Sequence, residues 1–181
     1  IATQDLSIAM KQVSVQSLIS AYRSLGVRVA TLDPLQRSER PQYPELDPAF
    51  YGLTEADLDQ LYSSTNTYFN DRDTMTLRDM LQALKATYCQ TIGYEYMHIS
   101  NPEAKRWIQE RIEPVQGRFE FTADEKRNIL QQLTEAEGLE RFLHTKYVGQ
   151  KRFSLEGGES FIACMDELVN HGGAKGVQEI V

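Results

Sequence analysis

The sequence predicts a mainly α-helical protein, built as a helical domain with a proline-rich extended arm. Apolar residues recur at three- and four-residue steps along most of the chain, which is the spacing of one helix face. Helix-capping residues stand directly before several of these stretches. Between residues 27 and 52 the pattern stops, because the prolines there restrict the backbone and withhold hydrogen-bond donors.

Composition and charge limit the classes of partner. The chain has 181 residues, 41% hydrophobic and 25% charged, which is the balance of a globular protein with a well-buried core. A net charge of −7 argues against nucleic acid as the main partner, since phosphate binding needs a basic surface. No apolar run approaches the roughly 20 residues that span a bilayer, so we expect no membrane partner. Cys89 and Cys164 are predicted to be buried, reduced thiols.

The first predicted region, residues 1–52, combines a helix with the arm. Apolar residues between positions 4 and 25 form one helix stripe, and Gly26 is predicted to be its C-cap. The members of this stripe are Leu6, Met10, Val13, Leu18, Ala21, Tyr22 and Leu25. The arm, residues 27–52, is predicted to wrap over a surface, because disordered linkers are poor in the aromatic residues that it contains.

The second predicted region, residues 53–149, is the helical domain proper. Helix starts are predicted at Thr54, Thr76, Asn101, Thr122 and Thr134, and the Asn101 helix is predicted to stop at Pro114. The polar stretch 63–74 interrupts the helical pattern. The predicted inward-facing side chains are Leu58, Leu61, Tyr62, Leu77, Met80, Leu81, Leu84, Tyr88, Trp107, Ile108, Ile112, Leu139, Phe142 and Leu143.

The third predicted region, residues 150–181, is a junction loop followed by a helix over residues 161–169. His171 and the two glycines after it are predicted to end that helix, since a cation suits a helix C-terminus. Residues 177–181 are predicted to begin a strand. This strand would be the first of an α/β domain that lies outside the chain.

The junction loop, residues 150–160, has a chemical mixture that helix packing does not require. Its sequence QKRFSLEGGES combines two cations, an aromatic ring, carboxylates and paired glycines. One interpretation is structural: glycines allow a turn, and Glu159 and Ser160 start a helix. The other is functional, because loops held by rigid elements often form the rims of pockets. The chemistry alone favours the structural interpretation and leaves the functional one open.

No self-contained active site is visible in the residues themselves. No histidine or cysteine pair has metal-ligand spacing, and His98 is predicted to be packed or hydrogen-bonded. Phosphate-loop, dinucleotide-binding and nucleophile-elbow motifs are missing. The charged residues between positions 105 and 113 are predicted to form a solvated helix face.

Four motifs in order nevertheless resemble one protein family. They are LDPL (32–35), TIGYEYMHI (91–99) with KRWI (105–108), AEGLERFL (136–143) and KRFSLEGG (151–158). Together they resemble the 2-oxoglutarate dehydrogenase family, in its bacterial form, along nearly the whole chain. None of the four is a general catalytic signature, so the specificity comes from their order.

The resemblance implies an incomplete, cytoplasmic bacterial enzyme. Family members are much longer homodimers that bind thiamine diphosphate and magnesium between subunits. Their Gly-Asp-Gly and His-Arg-Gly-Arg motifs do not occur here. We therefore expect an N-terminal piece of the subunit that binds neither cofactor nor metal and does not catalyse alone. The strand at residues 177–181 would then lead into the missing thiamine-diphosphate-binding α/β domain.

The resemblance also implies site residues and partners. Phe153 is expected to be an apolar wall of the substrate pocket, with Arg152 and Ser154 supporting that pocket. No residue present is expected to be catalytic, and His98 has no assigned role. The implied partners are the rest of the subunit, its dimer mate and a lipoyl-bearing succinyltransferase. The alternative hypothesis is a stand-alone helical module that binds a protein through its apolar helices and aromatic arm.

Overall fold

The computed structural model describes the backbone of residues 2–37 and 39–181, and the side chains from Ile8 onward within these ranges. Within these ranges there are five α-helices and a two-stranded sheet, which confirms the mainly helical class. In chain order these are α1 (Ala2–Val29), β1 (Leu61–Ser63), β2 (Thr74–Thr76), α2 (Leu77–Tyr88), α3 (Pro102–Ile112), α4 (Ala123–Lys146) and α5 (Ser160–Ala174). The chain divides into two compact units, Ile1–Phe119 and Glu120–Val181.

Helix α1 buries only part of the predicted stripe. Its core side chains are Val15, Leu18, Ile19 and Tyr22, of which Leu18 and Tyr22 were predicted. The predicted stripe residues Met10 and Val13 are exposed, and Leu6 lies outside the described side chains. Apolar residues occur on more than one side of this helix, so spacing alone could not identify the buried side.

Gly26 was wrongly predicted to end α1, because the helix continues through it to Val29. A Cβ atom at Gly26 would lie 2.6 Å from Cβ of Tyr88, which is closer than two carbon atoms can pack. The glycine therefore permits the close approach of α1 to the end of α2.

The segment after α1 includes short 3₁₀ turns at Pro44–Leu46 and Pro48–Tyr51. Side chains of α1 hold both turns. The Tyr22 hydroxyl donates to the Leu46 carbonyl oxygen at 3.0 Å, and the Ser14 hydroxyl donates to the Tyr51 carbonyl oxygen at 2.9 Å. These bonds satisfy backbone groups in a segment that has no ladder of its own.

A β-hairpin encloses the polar stretch 63–74, and its first strand includes Leu61 and Tyr62, which were predicted to lie on a helix. Strands β1 and β2 pair antiparallel, with Leu61 opposite Thr76 and Ser63 opposite Thr74. Leu61 points outward rather than into the core. Three-residue strands are too short to show an alternating apolar pattern, which explains why the hairpin was not predicted.

Helix α2 begins as predicted, since the Thr76 hydroxyl accepts from the Asp79 amide at 3.1 Å. Its apolar stripe forms the centre of the first unit, and the prediction of that stripe is confirmed. The stripe residues Leu77, Met80, Leu81, Leu84 and Tyr88 are all buried.

Helix α3 also begins at its predicted cap. The Asn101 side chain accepts from the amides of Glu103 at 2.8 Å and Ala104 at 3.3 Å. The helix ends at Ile112, shortly before Pro114. Trp107 is exposed rather than inward-facing, and the Arg111 guanidinium lies 3.6 Å from its ring centroid.

A buried ion pair joins α1 to the end of α3. Glu113 is fully buried, so its predicted place on a solvated face is wrong. Its carboxylate accepts from Nε of Arg23 at 2.8 Å, the Tyr88 hydroxyl at 2.7 Å and the Tyr68 amide at 2.9 Å. Burial, followed by the nearby Glu113 charge, raises the pKa of Tyr88. Every charge in this cluster has a partner, as buried charges require.

In the second unit, α4 is one continuous helix, from the capping box of Thr122 and Glu125 to Lys146. The helix start predicted at Thr134 is wrong. This residue lies inside α4, and its hydroxyl donates to the Leu130 carbonyl oxygen at 2.7 Å. Leu139 and Phe142 were predicted to be buried and are exposed.

Helix α5 is longer than predicted and contains His171, Gly172 and Gly173. Residues 177–181 are described and form no strand, so the strand predicted there is absent.

The Nε2 of Gln132 on α4 donates to a carboxylate oxygen of Asp166 on α5 at 2.5 Å. Within the described ranges, no helix has both the length and the apolar character to cross a membrane.

Candidate functional site

The residues predicted to form the site lie in the segment between α4 and α5. Phe153 is 94% exposed, so its ring is not part of any core in this chain. The Lys151 ammonium lies 5.6 Å from the centroid of that ring, which is within range of a cation–π contact. Such an exposed aromatic ring is suited to contact a ligand or another part of a protein.

Arg152 faces α4 instead of solvent. Its Nη1 donates to the Glu140 carbonyl oxygen at 3.2 Å and to Oε2 of the same residue at 3.3 Å. Its Nη2 lies 3.1 Å from Nδ1 of His144. A guanidinium can only donate, so the histidine nitrogen accepts this bond.

Ser154 starts a tight turn that leads into α5. Its hydroxyl accepts from the Glu156 amide at 3.1 Å. Gly157 has φ of 89°, a conformation that favours glycine. The Glu159 carboxylate, at the start of α5, accepts from the Gly157 amide at 3.0 Å. The turn and helix start of the structural interpretation are thus both present.

Sequence reasoning missed Glu140 as a member of this site. Its Oε1 accepts from the Leu155 amide at 3.0 Å, while Oε2 accepts from Arg152. Glu140 lies within one of the recognised motifs, AEGLERFL (136–143). Its partners are 12 and 15 residues away, however, and no local pattern links residues at that separation.

Each unit also has a cavity of its own. In the second unit, a groove of about 360 Å³ is lined by residues that include Phe121, Ile129, Gln132 and Cys164. A larger, open cavity of about 610 Å³ in the first unit is lined by residues that include Arg40, Tyr43, Lys85 and Cys89. Neither cavity is lined by Arg152, Phe153 or Ser154.

Both cysteines are free thiols as predicted, but Cys164 and His98 differ from prediction in their exposure. Cys89 is half-buried, and burial raises the pKa of its thiol to about 11. Cys164 was predicted to be buried and is exposed on α5. His98 is exposed rather than packed.

Among the described residues, no three His, Cys, Asp or Glu side chains converge as ligands for a metal ion.

Comparison with known proteins finds sequence similarity to one class, the E1 components of bacterial 2-oxoglutarate dehydrogenases. No protein-family model matches the chain. Over 181 residues the chain is 58% identical to "2-oxoglutarate dehydrogenase E1 component" of Cupriavidus necator. It is 43% identical over 183 residues to the protein of that name from Azotobacter vinelandii, and 42% identical over 179 residues to that from Haemophilus influenzae.

The particular match is to the N-terminal part of these proteins. All of this chain aligns with the Cupriavidus necator and Azotobacter vinelandii sequences, but it covers only 19% of the length of each. In sequence, the chain thus corresponds to the N-terminal fifth of bacterial 2-oxoglutarate dehydrogenase E1 components. This confirms the resemblance that the four motifs predicted.

Proposed function

We propose that this chain is the N-terminal helical portion of a subunit that oxidatively decarboxylates 2-oxoglutarate. That subunit would use thiamine diphosphate and magnesium and pass the succinyl group to a lipoyl group of the acyltransferase component, in the bacterial cytoplasm. The main support is the 58% identity along the entire chain. Thiamine diphosphate supplies the electron sink for this class of decarboxylation when it is bound.

Within that subunit, we assign this chain a supporting role. Phe153 forms an apolar wall of the substrate pocket, and Arg152 and Ser154 hold the segment that carries it. The support is geometric, since Arg152 and Ser154 bond to their own segment and α4 while Phe153 points outward. The rest of the subunit supplies the cofactor ligands and the catalytic groups, so the chain alone is inactive.

The proposal that the chain alone is inactive is tested by comparing the 181-residue chain with a full-length subunit that contains it. Both are assayed for decarboxylation of 2-oxoglutarate with thiamine diphosphate and magnesium. We expect turnover by the full-length subunit and none by the chain. Turnover by the 181-residue chain would overturn the proposal that the rest of the subunit supplies the catalytic groups.

The pocket role is tested by Phe153→Ala in the full-length subunit. We expect KM for 2-oxoglutarate to rise while the melting temperature stays within about 2 °C, since an exposed ring adds little to stability. Phe142→Ala is the matched control, because Phe142 is also an exposed phenylalanine of the second unit. Wild-type kinetics together with a large loss of stability would assign Phe153 to an internal core instead.

A second candidate function is a stand-alone helical module that binds another protein. The exposed apolar side chains of α4, which include Leu130, Leu139 and Phe142, favour it. The gene separates the two candidates. A reading frame that continues into His-Arg-Gly-Arg and Gly-Asp-Gly motifs supports the dehydrogenase subunit, and one that stops after residue 181 supports the module.

A further inference from the structure

One carboxylate holds the segment on both sides of Phe153. Oε2 of Glu140 accepts from Nη1 of Arg152, the residue before Phe153. Oε1 of the same carboxylate accepts from the amide of Leu155, two residues after Phe153. The two tethers therefore enclose only Phe153 and Ser154.

We propose that Glu140 is a positioning residue, which fixes Phe153 in the orientation needed for the substrate pocket. The proposal rests on the function proposed above for Phe153. Glu140 does not itself touch substrate in this scheme. It acts by holding the backbone on which the phenylalanine ring is presented.

The position of Glu140 on α4 suits this task. Its side chain is only 14% exposed and that of Arg152 only 23%, so solvent screens their interaction less than that of a surface pair. A side chain on a long helix also starts from a rigid backbone, and sites built on helices are held more accurately than sites on loops. The carboxylate thus attaches the segment around Phe153 to the rigid backbone of α4.

Glutamate has a chemical advantage over other residues at this position. An ionised carboxylate has two oxygens that both accept, one for the guanidinium and one for the amide. Glutamine retains a single acceptor oxygen and presents donors to a guanidinium that can only donate. Alanine has neither acceptor. The three side chains therefore offer two, one and no side-chain acceptors, while the bond from Arg152 to the Glu140 backbone carbonyl oxygen and its contact with His144 remain available in every variant.

Phe153 has no comparable restraint of its own. Its ring is almost fully exposed, and its one described aromatic contact is with the flexible side chain of Lys151. The ring position consequently depends on the backbone of residues 152–155. Small displacements of a substrate-contacting group can cost much of its effect.

The matched control residue is Glu137, one turn earlier on α4. It pairs with Arg141 at 2.6 Å, and both side chains are more than half exposed. Its described bond stays within the helix and does not reach the junction segment. Glu137→Ala therefore removes a carboxylate from α4 while leaving both tethers in place.

The first measurement is hydrogen exchange by mass spectrometry on the full-length subunit, in a peptide that covers Leu155. We expect the Leu155 amide to exchange about tenfold faster in Glu140→Ala than in wild type, because it loses a bond to a charged acceptor. Glu140→Gln should lie between these two, and Glu137→Ala should match wild type. Unchanged exchange in Glu140→Ala would overturn the proposed tether.

The second measurement is steady-state kinetics with 2-oxoglutarate. We expect KM to rise about tenfold in Glu140→Ala and about threefold in Glu140→Gln, with kcat within about twofold of wild type. Glu140→Gln keeps the test valid if Glu140→Ala fails to fold. A Glu140→Gln protein that folds and has wild-type KM would overturn the positioning role.

A double mutant separates this proposal from the proposed function. If Glu140 acts through Phe153, adding Glu140→Ala to Phe153→Ala should raise KM less than about twofold further. A full tenfold further increase would show that Glu140 does not act through Phe153. If Phe153→Ala alone leaves KM unchanged, the pocket role in the proposed function fails. The tether is then judged by the exchange of the Leu155 amide.

Discussion

The two units of this chain use the same local signals but differ in what they bury. Among the described residues of the first unit, Ile1–Phe119, fifteen hydrophobic side chains form a buried core. In the second unit, every residue from 120 to 181 is described and none is buried. Both units contain helices that begin at well-formed side-chain caps. Caps therefore define where helices start, but they do not indicate which helices will bury a face.

This difference in burial predicts that different interactions stabilise the two units. Burial of apolar side chains contributes about 1.5 to 3 kcal/mol each and dominates where a core exists. Helices without buried faces depend on caps and on exposed pairs such as Glu137 with Arg141. Substitutions in the first unit should therefore have larger effects than equivalent substitutions in the second.

The largest effect is expected from Glu113→Ala in the first unit. It leaves the Arg23 guanidinium buried without its charged partner, and breaking such a pair costs about 3 to 5 kcal/mol. Urea unfolding followed by fluorescence of Trp107, the single tryptophan, reports on this unit. Glu110→Ala is the control, because its exposed contact with Arg106 at 4.0 Å contributes less than about 1 kcal/mol. Equal midpoints for the two variants would contradict the importance of the buried pair.

A matched pair of leucines compares the units directly. Leu84→Ala removes a fully buried side chain from α2 and should cost roughly 3 kcal/mol. Leu130→Ala removes a 64% exposed side chain from α4 and should cost less than about 0.5 kcal/mol. Denaturant unfolding monitored by circular dichroism measures both. Similar costs would show that the difference in burial does not govern stability.

A smaller effect is expected at the start of α4. The Thr122 hydroxyl accepts from the Glu125 amide at 3.3 Å, so Thr122→Ala should cost about 1 kcal/mol. Amides in the first turn of α4 should exchange faster, while those of α2 stay unchanged. Thr134→Ala, inside the same helix, is the control and should leave the first turn intact. Protection lost equally in both variants would argue against the cap.

The smallest effect is a loss of folding stability at acid pH, which arises from Asp57 in the first unit. A hydrogen bond from Lys11, with further bonds from Thr54, holds the pKa of Asp57 at about 2, below its ordinary 3.8. Because the folded-state pKa is lowered, this contribution is present above about pH 4 and is lost as pH falls towards 2. Lys11 is 41% exposed, so solvent screens the ion pair and its contribution to stability is small.

Asp57→Asn tests that contribution. Stability of the variant, measured by urea unfolding at several pH values, should decline less steeply than wild type between pH 4 and 2. The asparagine can still accept from the Thr54 amide, so most of the local turn should remain. Parallel curves for the two proteins would contradict the lowered pKa.

Local chemistry explains which parts of the fold could be predicted. Thr76, Asn101 and Thr122 each bond to amides two or three residues ahead, so their signals are readable in a short window. The pair of Arg23 and Glu113 spans 90 positions, and no such window contains both. Gly26 was misjudged for the same reason, since Tyr88 explains it and lies on another helix.

The candidate site was predictable only in part. Phe153, Arg152 and Ser154 were found through the resemblance of their motif, and their roles stay predictions. The turn and the start of α5 were predictable from Gly157 and Glu159, because each of these residues affects the backbone only within a few positions. Glu140 could not be found in this way, since a residue on α4 becomes a partner of Leu155 only once the chain has folded back.

The two cysteines give the units different chemical reactivity. Burial raises the pKa of Cys89 in the first unit to about 11, so its sulfur is almost entirely the unreactive thiol at neutral pH. Cys164 is exposed on α5 of the second unit. A maleimide reagent applied briefly at neutral pH should therefore attach to Cys164 ahead of Cys89. The native chain thus offers a site for a spectroscopic label on the helix that follows the Phe153 segment, without any substitution.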